Sequence, residues 1–350
     1  MDEPECEGPR HESSTKRDHV LRLTVDGPAP HAGERLARKD VVRLIEEHGG
    51  PEGLDLRQAD LHQADLSALD LHEAKLSQAN LEQAQLHNAN LQQAELHNAN
   101  LHAADLRWAD LQGATLGFAQ LERADLLEAN LRGAFLSAAN LYRARLTYAD
   151  LRGAYLAARL EAADLRGADL RAARLAYANL READLEGAKW GDYVLGDEIA
   201  REFDEAASAY RALKQRHTES GMYDIAGEFH YREMEVRRKL ARKERRLPYA
   251  LSLNALCFLY GYGERPERVI AWAAAIVFGL ALVHWMFGTV SVAFPDALYY
   301  SAVSFTALGY GAWAPEPQGW AGRFLGVGEA VMGVFMMALF LVTFTRKMTR

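Results

Sequence analysis

The sequence predicts a multidomain fold: a solenoid of stacked four-unit coils, a short helical hairpin, and a helical membrane part with two spans and a half-length helix between them. Three observations carry this. Leucine recurs every fifth residue from Leu56 to Leu156 without a miss. Two apolar stretches of spanning length, 269–290 and 324–344, lie near the C-terminal end. Almost all of the charge precedes them, so the average composition of the 350 residues, 25% charged with a net charge of -8, hides a segregation. The length allows two or three domains. The segregation argues against a cytosolic globular enzyme. Cys6 and Cys257, far apart, give neither a disulfide framework nor a metal-ligand spacing. The acidic balance argues against a nucleic-acid partner.

Residues 1–19 are polar and aperiodic and are expected to be disordered. No apolar segment of signal-peptide type follows them. Residues 20–53 read as an N-terminal cap. Within it, VLRLTV fits a short strand ending at Asp26-Gly27-Pro28. Residues 37–49 fit a short helix with Val41, Val42, Leu44 and Ile45 on its apolar side, stopped by Gly49-Gly50-Pro51.

From Leu54 the chain is written in fives, with the unit A-(D/N)-L-x-x and an alanine two residues before most of the leucines, as at Ala59, Ala64, Ala74 and Ala154. A period of five suits neither a helix nor a simple strand. It suits a coil with one inward leucine and one small inward alanine per unit, four units to a turn, the turns stacked about 4.8 Å apart. There are 21 leucine-centred units from Leu56 to Leu156; the spacing then drops to four at Leu160 and returns to five, with Trp190 in the last leucine slot. The 28 units make seven coils, a stack about 34 Å long. The lost residue between Leu156 and Leu160 predicts a pinched corner and no break.

This run resembles the pentapeptide-repeat family, and the resemblance implies a right-handed quadrilateral β-helix over 54–195. A rigid spacer is the plain role for such a block; a recognition surface for an unknown cytoplasmic protein is the functional one. Residues 54–128 hold 12 acidic and 4 basic side chains, and 132–174 hold 8 arginines and 4 acids, a dipolar rod. His62, His72, His87, His97 and His102 occupy outward slots, at spacings that demand no metal. Some members of that family resemble duplex DNA and bind topoisomerases, and the basic second half here does not favour that mimicry.

Residues 198–246 change to a helical register, with segments 203–217 and 222–244 broken at Ser220-Gly221. This hairpin is similar to one tetratricopeptide unit and is placed to cap the open end of the solenoid. Its basic run, Arg237, Arg238, Lys239, Arg242, Lys243, Arg245 and Arg246, reads as a cytoplasmic anchor against anionic membrane lipid. Residues 248–263, apolar and aromatic, read as an interfacial helix.

The stretch 269–290 contains one ionisable group, His284, and 324–344 contains Glu329. At 1.5 Å per residue each crosses the hydrocarbon core. Basic residues before the first and after the second (Arg346, Lys347, Arg350) place both chain ends in the cytoplasm of a multi-pass inner-membrane protein. Between the spans, Pro295-Asp296 starts a helix that ends about Thr306, too short to cross. Leu308-Gly309-Tyr310-Gly311 follows. Such a loop can turn its carbonyls toward a cation, and because one chain supplies one loop, the assembly should be a symmetric ring.

Residues 266–347 resemble the pore of the two-transmembrane potassium channels, on the outer helix, the pore helix 296–306, the Gly-Tyr-Gly, Pro315, Arg323 and Gly333. The resemblance implies a homotetramer. It implies a filter at Ala307, Leu308, Gly309, Tyr310 and Gly311, with K+ held at the carbonyls of Leu308, Gly309 and Tyr310 as the transported ion and no organic cofactor. Thr306, Ala312, Trp313 and Glu329 are the filter supports, Glu329 taking a hydrogen bond from Tyr299, Tyr300 or a filter amide. Gly333, Phe335, Met336, Met337, Phe340 and Phe344 form the inner-helix hinge and gate. Two residues depart from the pattern: Ala307 has no hydroxyl where the family has threonine, and Ala312 stands in the aspartate slot. They weaken the innermost ion site and the filter brace. The expected function is therefore potassium-selective, or weakly selective, conduction by a tetrameric pore with a cytoplasmic β-helix. The alternative is a membrane-tethered scaffold with a vestigial pore. No nucleophile-base spacing, phosphate loop or metal motif points to an enzyme.

Overall fold

The computed structural model describes residues 29–290, 293–306 and 319–348. The expected disorder over 1–19, the strand in 20–25 and the filter 307–311 with Ala312 and Trp313 lie outside the described residues. The element order begins with α1 (Arg38–His48), followed by the repeat block. Then come α2 (Gly196–Ile199), α3 (Phe203–Glu219), α4 (Tyr223–Lys243), α5 (Leu247–Tyr260) and a 3-10 turn (Gly261–Gly263). The chain ends in α6 (Pro266–Met286), α7 (Phe294–Thr306) and α8 (Gly319–Met348).

The repeat block corrects the expected right-handed quadrilateral β-helix. Among the described residues there is no β-strand, and the extended regular elements are helices. The block is a succession of turns in which each unit gives a single residue to an isolated parallel bridge, from Asp55↔Lys75 to Asp169↔Lys189. The reason is the length of the unit. A strand needs consecutive paired residues, and here the residue three past nearly every bridge turns into the left-handed region, as at Gln58 (φ 59°), Gln63 (φ 57°) and Asn98 (φ 56°). The corner arrives before a second pair can form.

The turns nevertheless stack. Leu56 N donates to Lys75 O at 2.8 Å, and Lys75 N donates to Leu54 O at 2.9 Å. The same exchange repeats down the block, so the backbone groups of each turn are satisfied by its neighbours. The leucines and alanines point inward and are buried nearly throughout. The partner lies twenty residues on as far as Phe135↔Tyr155, nineteen for Asn140↔Arg159 through Tyr155↔Arg174, and twenty again from Arg159↔Asn179. The residue lost between Leu156 and Leu160 is absorbed in one corner while the stack continues.

The end of the stack is closed by side chains. The Asp197 carboxylate accepts the backbone N–H groups of Leu175 (2.9 Å) and Ala176 (3.2 Å), standing where the carbonyls of a next coil would be. Trp190, in the last leucine slot, meets Phe229 and His217 edge-on, with ring centroids 5.0 and 5.7 Å apart. The buried Tyr210 hydroxyl accepts from Leu195 N at 3.0 Å and donates to Glu198 Oε2 at 2.6 Å. These contacts join α3 and α4 to the repeat as one continuous core.

Within the hairpin, Glu233 is buried among Lys214 (2.9 Å), Arg211 (3.3 Å) and Arg237 (2.6 Å). Burial alone would raise its pKa; His230, Lys214 and Arg237 outweigh it and hold the carboxyl down at about 2. His217 is pushed the other way, its pKa lowered by burial despite its bond to Leu213 O. Much of the basic run is engaged within the chain: Arg237 with Glu233, Arg238 with Glu235, Lys239 with Glu198 and Arg242 with Asn254.

Replacing Leu111 by Ala is expected to cost about 2–5 kcal/mol, whereas Gln112→Ala on the outside should leave stability unchanged; urea unfolding followed by circular dichroism checks both. Two acid-sensitive steps are expected in the same signal. The neutral form of His217 is favoured by folding, so its contribution is full above about 6.5 and drains as pH falls below it. Glu233, with its folded pKa depressed, contributes fully above about 4.5 and loses that contribution as pH falls toward 2. Glu233→Gln should remove the second step alone.

Candidate functional site

α6 and α8 are long and apolar enough to cross a membrane, and most of their surface is exposed in the single chain. α7, 13 residues or about 20 Å long, is not. The three pack together around Val269, Phe305 and Met336, with Trp272, Ile276 and Phe340 at the edge. Gly333 sits at the closest approach: a Cβ built there overlaps the Phe305 carbonyl oxygen, so α8 can meet the end of α7 only without a side chain at this position.

Above this apolar layer lies a polar one. Glu329 of α8 is 1% exposed and His284 of α6 is 0% exposed. Ser301 Oγ, on α7, donates to Glu329 Oε1 at 2.6 Å. His284 Nε2 stands 3.6 Å from the same oxygen. His284 Nδ1 is 2.6 Å from Thr289 Oγ1, and the Tyr300 ring meets the imidazole edge-on at 5.1 Å. Three helices thus each contribute one polar side chain to a single buried point.

The sequence analysis gives Glu329 a donor at Tyr299, Tyr300 or a filter amide. Among the described residues Ser301, the next residue, donates to Glu329; Tyr300 packs its ring on His284, Tyr299 is exposed, and the filter amides lie outside the described residues. Neither Ser301 nor His284 carries a role in that reading. The available signal was the pairing of one ionisable group per span, His284 and Glu329, facing a short helix with a central serine. Thr306 turns its hydroxyl back onto the carbonyls of Ala302 (2.8 Å) and Val303 (3.2 Å). The residues grouped as a gate part company. Met336 is buried between the helices, Phe340 is partly buried and stacks on Phe344, and Phe335, Met337 and Phe344 are exposed. Gly333 lies within an uninterrupted helix.

Among the described residues no group of three or more His, Cys, Asp or Glu is placed to hold a metal ion.

Comparison with known proteins divides the chain in the same way. The family model for pentapeptide repeats matches residues 52–83, 79–117, 119–156 and 157–189. A model described as an ion channel matches residues 269–350. The chain therefore carries a pentapeptide-repeat domain fused to an ion-channel-family segment. Both are families of structural or transport proteins, and the chain is not an enzyme.

Solved structures similar to part of this chain include HetL, a pentapeptide repeat protein involved in heterocyst differentiation regulation from the cyanobacterium Nostoc sp. PCC 7120. It is 26% identical over 44% of this chain and 94% of its own, with a TM-score of 0.17. A pentapeptide repeat protein from the Arabidopsis thaliana thylakoid lumen is 31% identical over 25% of this chain and 64% of its own, with a TM-score of 0.18. QnrB1, a plasmid-mediated fluoroquinolone resistance protein, is 17% identical over 50% of this chain and 92% of its own, with a TM-score of 0.30. No curated protein matches the chain.

The expectation of potassium-selective conduction through a tetrameric pore with a cytoplasmic β-helix is corrected by these findings. The repeat block has no strand among the described residues. The filter residues 307–311 lie outside the described residues. What stands is an apolar pair, α6 and α8, in a multi-pass membrane segment of ion-channel type.

Gly333→Ala is expected to push α7 off α8 and lower stability by about 1–3 kcal/mol, read as an earlier thermal unfolding midpoint of the full chain in detergent micelles. Gly279→Ala, at a position with open space around it, should leave that midpoint in place.

Proposed function

We propose that the protein moves ions across a lipid bilayer, with the repeat domain held outside the membrane as a rigid platform. The observation that carries this is the packing of the half-length α7 between two spanning helices in the segment that matches an ion-channel family. A half-length helix is tolerated at membrane depth where protein surrounds it, and the contacts of α7 with α6 and α8 supply that surrounding protein.

The proposal includes assembly from several copies. In one chain, Phe324, Val327, Val331, Met332 and Phe335 of α8 line an open apolar groove of about 470 Å³. That is the side of α8 turned away from α6 and α7, and further copies of the chain would sit against it. The orientation in this proposal has both ends of the chain, and with them the repeat domain, on the cytoplasmic side of the cell membrane; the basic residues flanking the two spans support it.

The test is ion flux from liposomes containing the purified full chain, with K+, Na+ and Cl- gradients measured separately, beside the mass of the detergent-solubilised assembly. Flux of one or more of these ions above protein-free liposomes, from an assembly of several chains, is expected. Correctly inserted protein that passes none of them overturns the proposal and leaves a membrane-anchored scaffold.

A further inference from the structure

We infer that His284 and Glu329 form a buried proton-binding site that locks α7 to both spanning helices. Its occupancy sets ion movement from the side of the membrane where α6 ends. The inference rests on the proposed function for its effect, and on the geometry alone for the site.

Burial favours an added proton on one of the two groups. Thr289 Oγ1 lies 3.4 Å from the His284 carbonyl oxygen and 2.6 Å from His284 Nδ1. The short Thr289 contact fits both neutral tautomers: the hydroxyl accepts from Nδ1–H, or donates to a bare Nδ1 and leaves the hydrogen on Nε2. Nε2 faces Glu329 Oε1 at 3.6 Å. Without a proton on either atom, an imidazole lone pair would look directly at a carboxylate, both fully buried. Neutral imidazole beside a bare carboxylate leaves a buried negative charge; one added proton, on the ring as an imidazolium or on the carboxyl, leaves the pair neutral as a whole. The remaining capacity is unspent: His284 Nε2 and Glu329 Oε2 have no hydrogen-bond partner among the described residues.

Among the described residues of the three helices no other charge is placed to substitute. On α7, Tyr300 offers its ring to His284, Ser301 donates to Glu329, and Asp296 and Tyr299 are exposed toward its start. On α8, Arg323 is exposed. On α6, Glu267 and Arg268 sit in the first turn, about 24 Å of helix away. Removal of the shared proton leaves a bare buried carboxylate held only by Ser301; addition of a second leaves a buried positive charge. Either change loosens a polar contact that joins all three helices.

The experiment uses the full chain in two preparations. In liposomes, ion flux is measured against pH on each side separately. In nanodiscs, the thermal unfolding midpoint is measured over the same range. Wild type is compared with Glu329→Gln, His284→Gln and a double variant, His284→Phe with Glu329→Leu, whose apolar pair fills the site without charge and keeps the bundle folded if the single variants do not. The expected result is wild-type flux that falls on the alkaline side by up to tenfold per pH unit, the limit for one proton, with a parallel fall in midpoint. Both dependences should flatten in the double variant. A double variant with the wild-type pH profile in flux and midpoint overturns the inference, as does a wild type whose midpoint shows no pH dependence beyond that of the double variant. Absence of flux at every pH, with a wild-type midpoint shift that the double variant abolishes, overturns the proposed function and supports the proton site.

Discussion

One inward leucine every fifth residue is the constraint on which the rest of the chain depends. It fixes the unit at five, and five is too few for a strand and a corner together, so the block is made of corners joined by single bridges. Burial of the leucines holds the turns in register, and register lets every turn donate its backbone N–H groups to the next. A stack built this way has a problem only at its ends, where donors lack a next turn. The chain meets it with Asp197, which offers carboxylate oxygens to Leu175 and Ala176, and with Trp190, which fills the leucine slot and turns its ring to α3 and α4.

The charges on the outside follow the same repeat. Arginines two residues past the bridge aspartates fold back on them, as Arg57 on Asp55, Arg107 on Asp105, Arg152 on Asp150 and Arg171 on Asp169. Each aspartate also accepts the backbone N–H of its arginine, so the pair braces the corner as well as neutralising itself. The acidic first half and basic second half legible in the sequence are therefore softened wherever such pairs occur. Exposed pairs of this kind add little to stability. Their effect is on the surface a partner meets, which is a mosaic with a modest gradient.

What the sequence revealed and what it hid have separate physical causes. The period of five, the buried leucines, the pinch before Leu160, and the helices on either side of Ser220-Gly221 are local patterns, visible because each is set by neighbours a few residues away. The absence of strands was hidden because pairing twenty residues apart suggests a ladder, and only the φ angles at Gln58 and its equivalents reveal that the ladder is one residue wide. At the membrane site, Glu329 was conspicuous as a lone carboxylate in a span. Its partners were hidden because the packing of α7 on Gly333 and Met336 decides which side chain meets the carboxylate: Ser301 reaches Glu329, while Tyr300 lays its hydroxyl against Gly326 of α8 and its ring on His284.

The membrane helices inherit the rigidity of the repeat through a short polar joint. Arg265 reaches Glu228 at 3.2 Å, Arg268 donates to the Cys257 carbonyl at 2.6 Å, and Trp272 donates to the Phe258 carbonyl at 2.9 Å. Tyr262, held at φ 59°, donates to Glu235 Oε1 at 3.4 Å. The first two turns of α6 are thus tied to α4 and α5, and α4 is tied through Phe229 and Trp190 to the stack. The connection between α5 and α6 is short, a 3-10 turn followed by Glu264 and Arg265, and is bonded on both sides. From this joint α6 runs to His284 near its far end. The joint to the stack and the buried carboxylate therefore sit at opposite ends of one helix, and coupling between them requires that helix to have two arrangements that both ends bias.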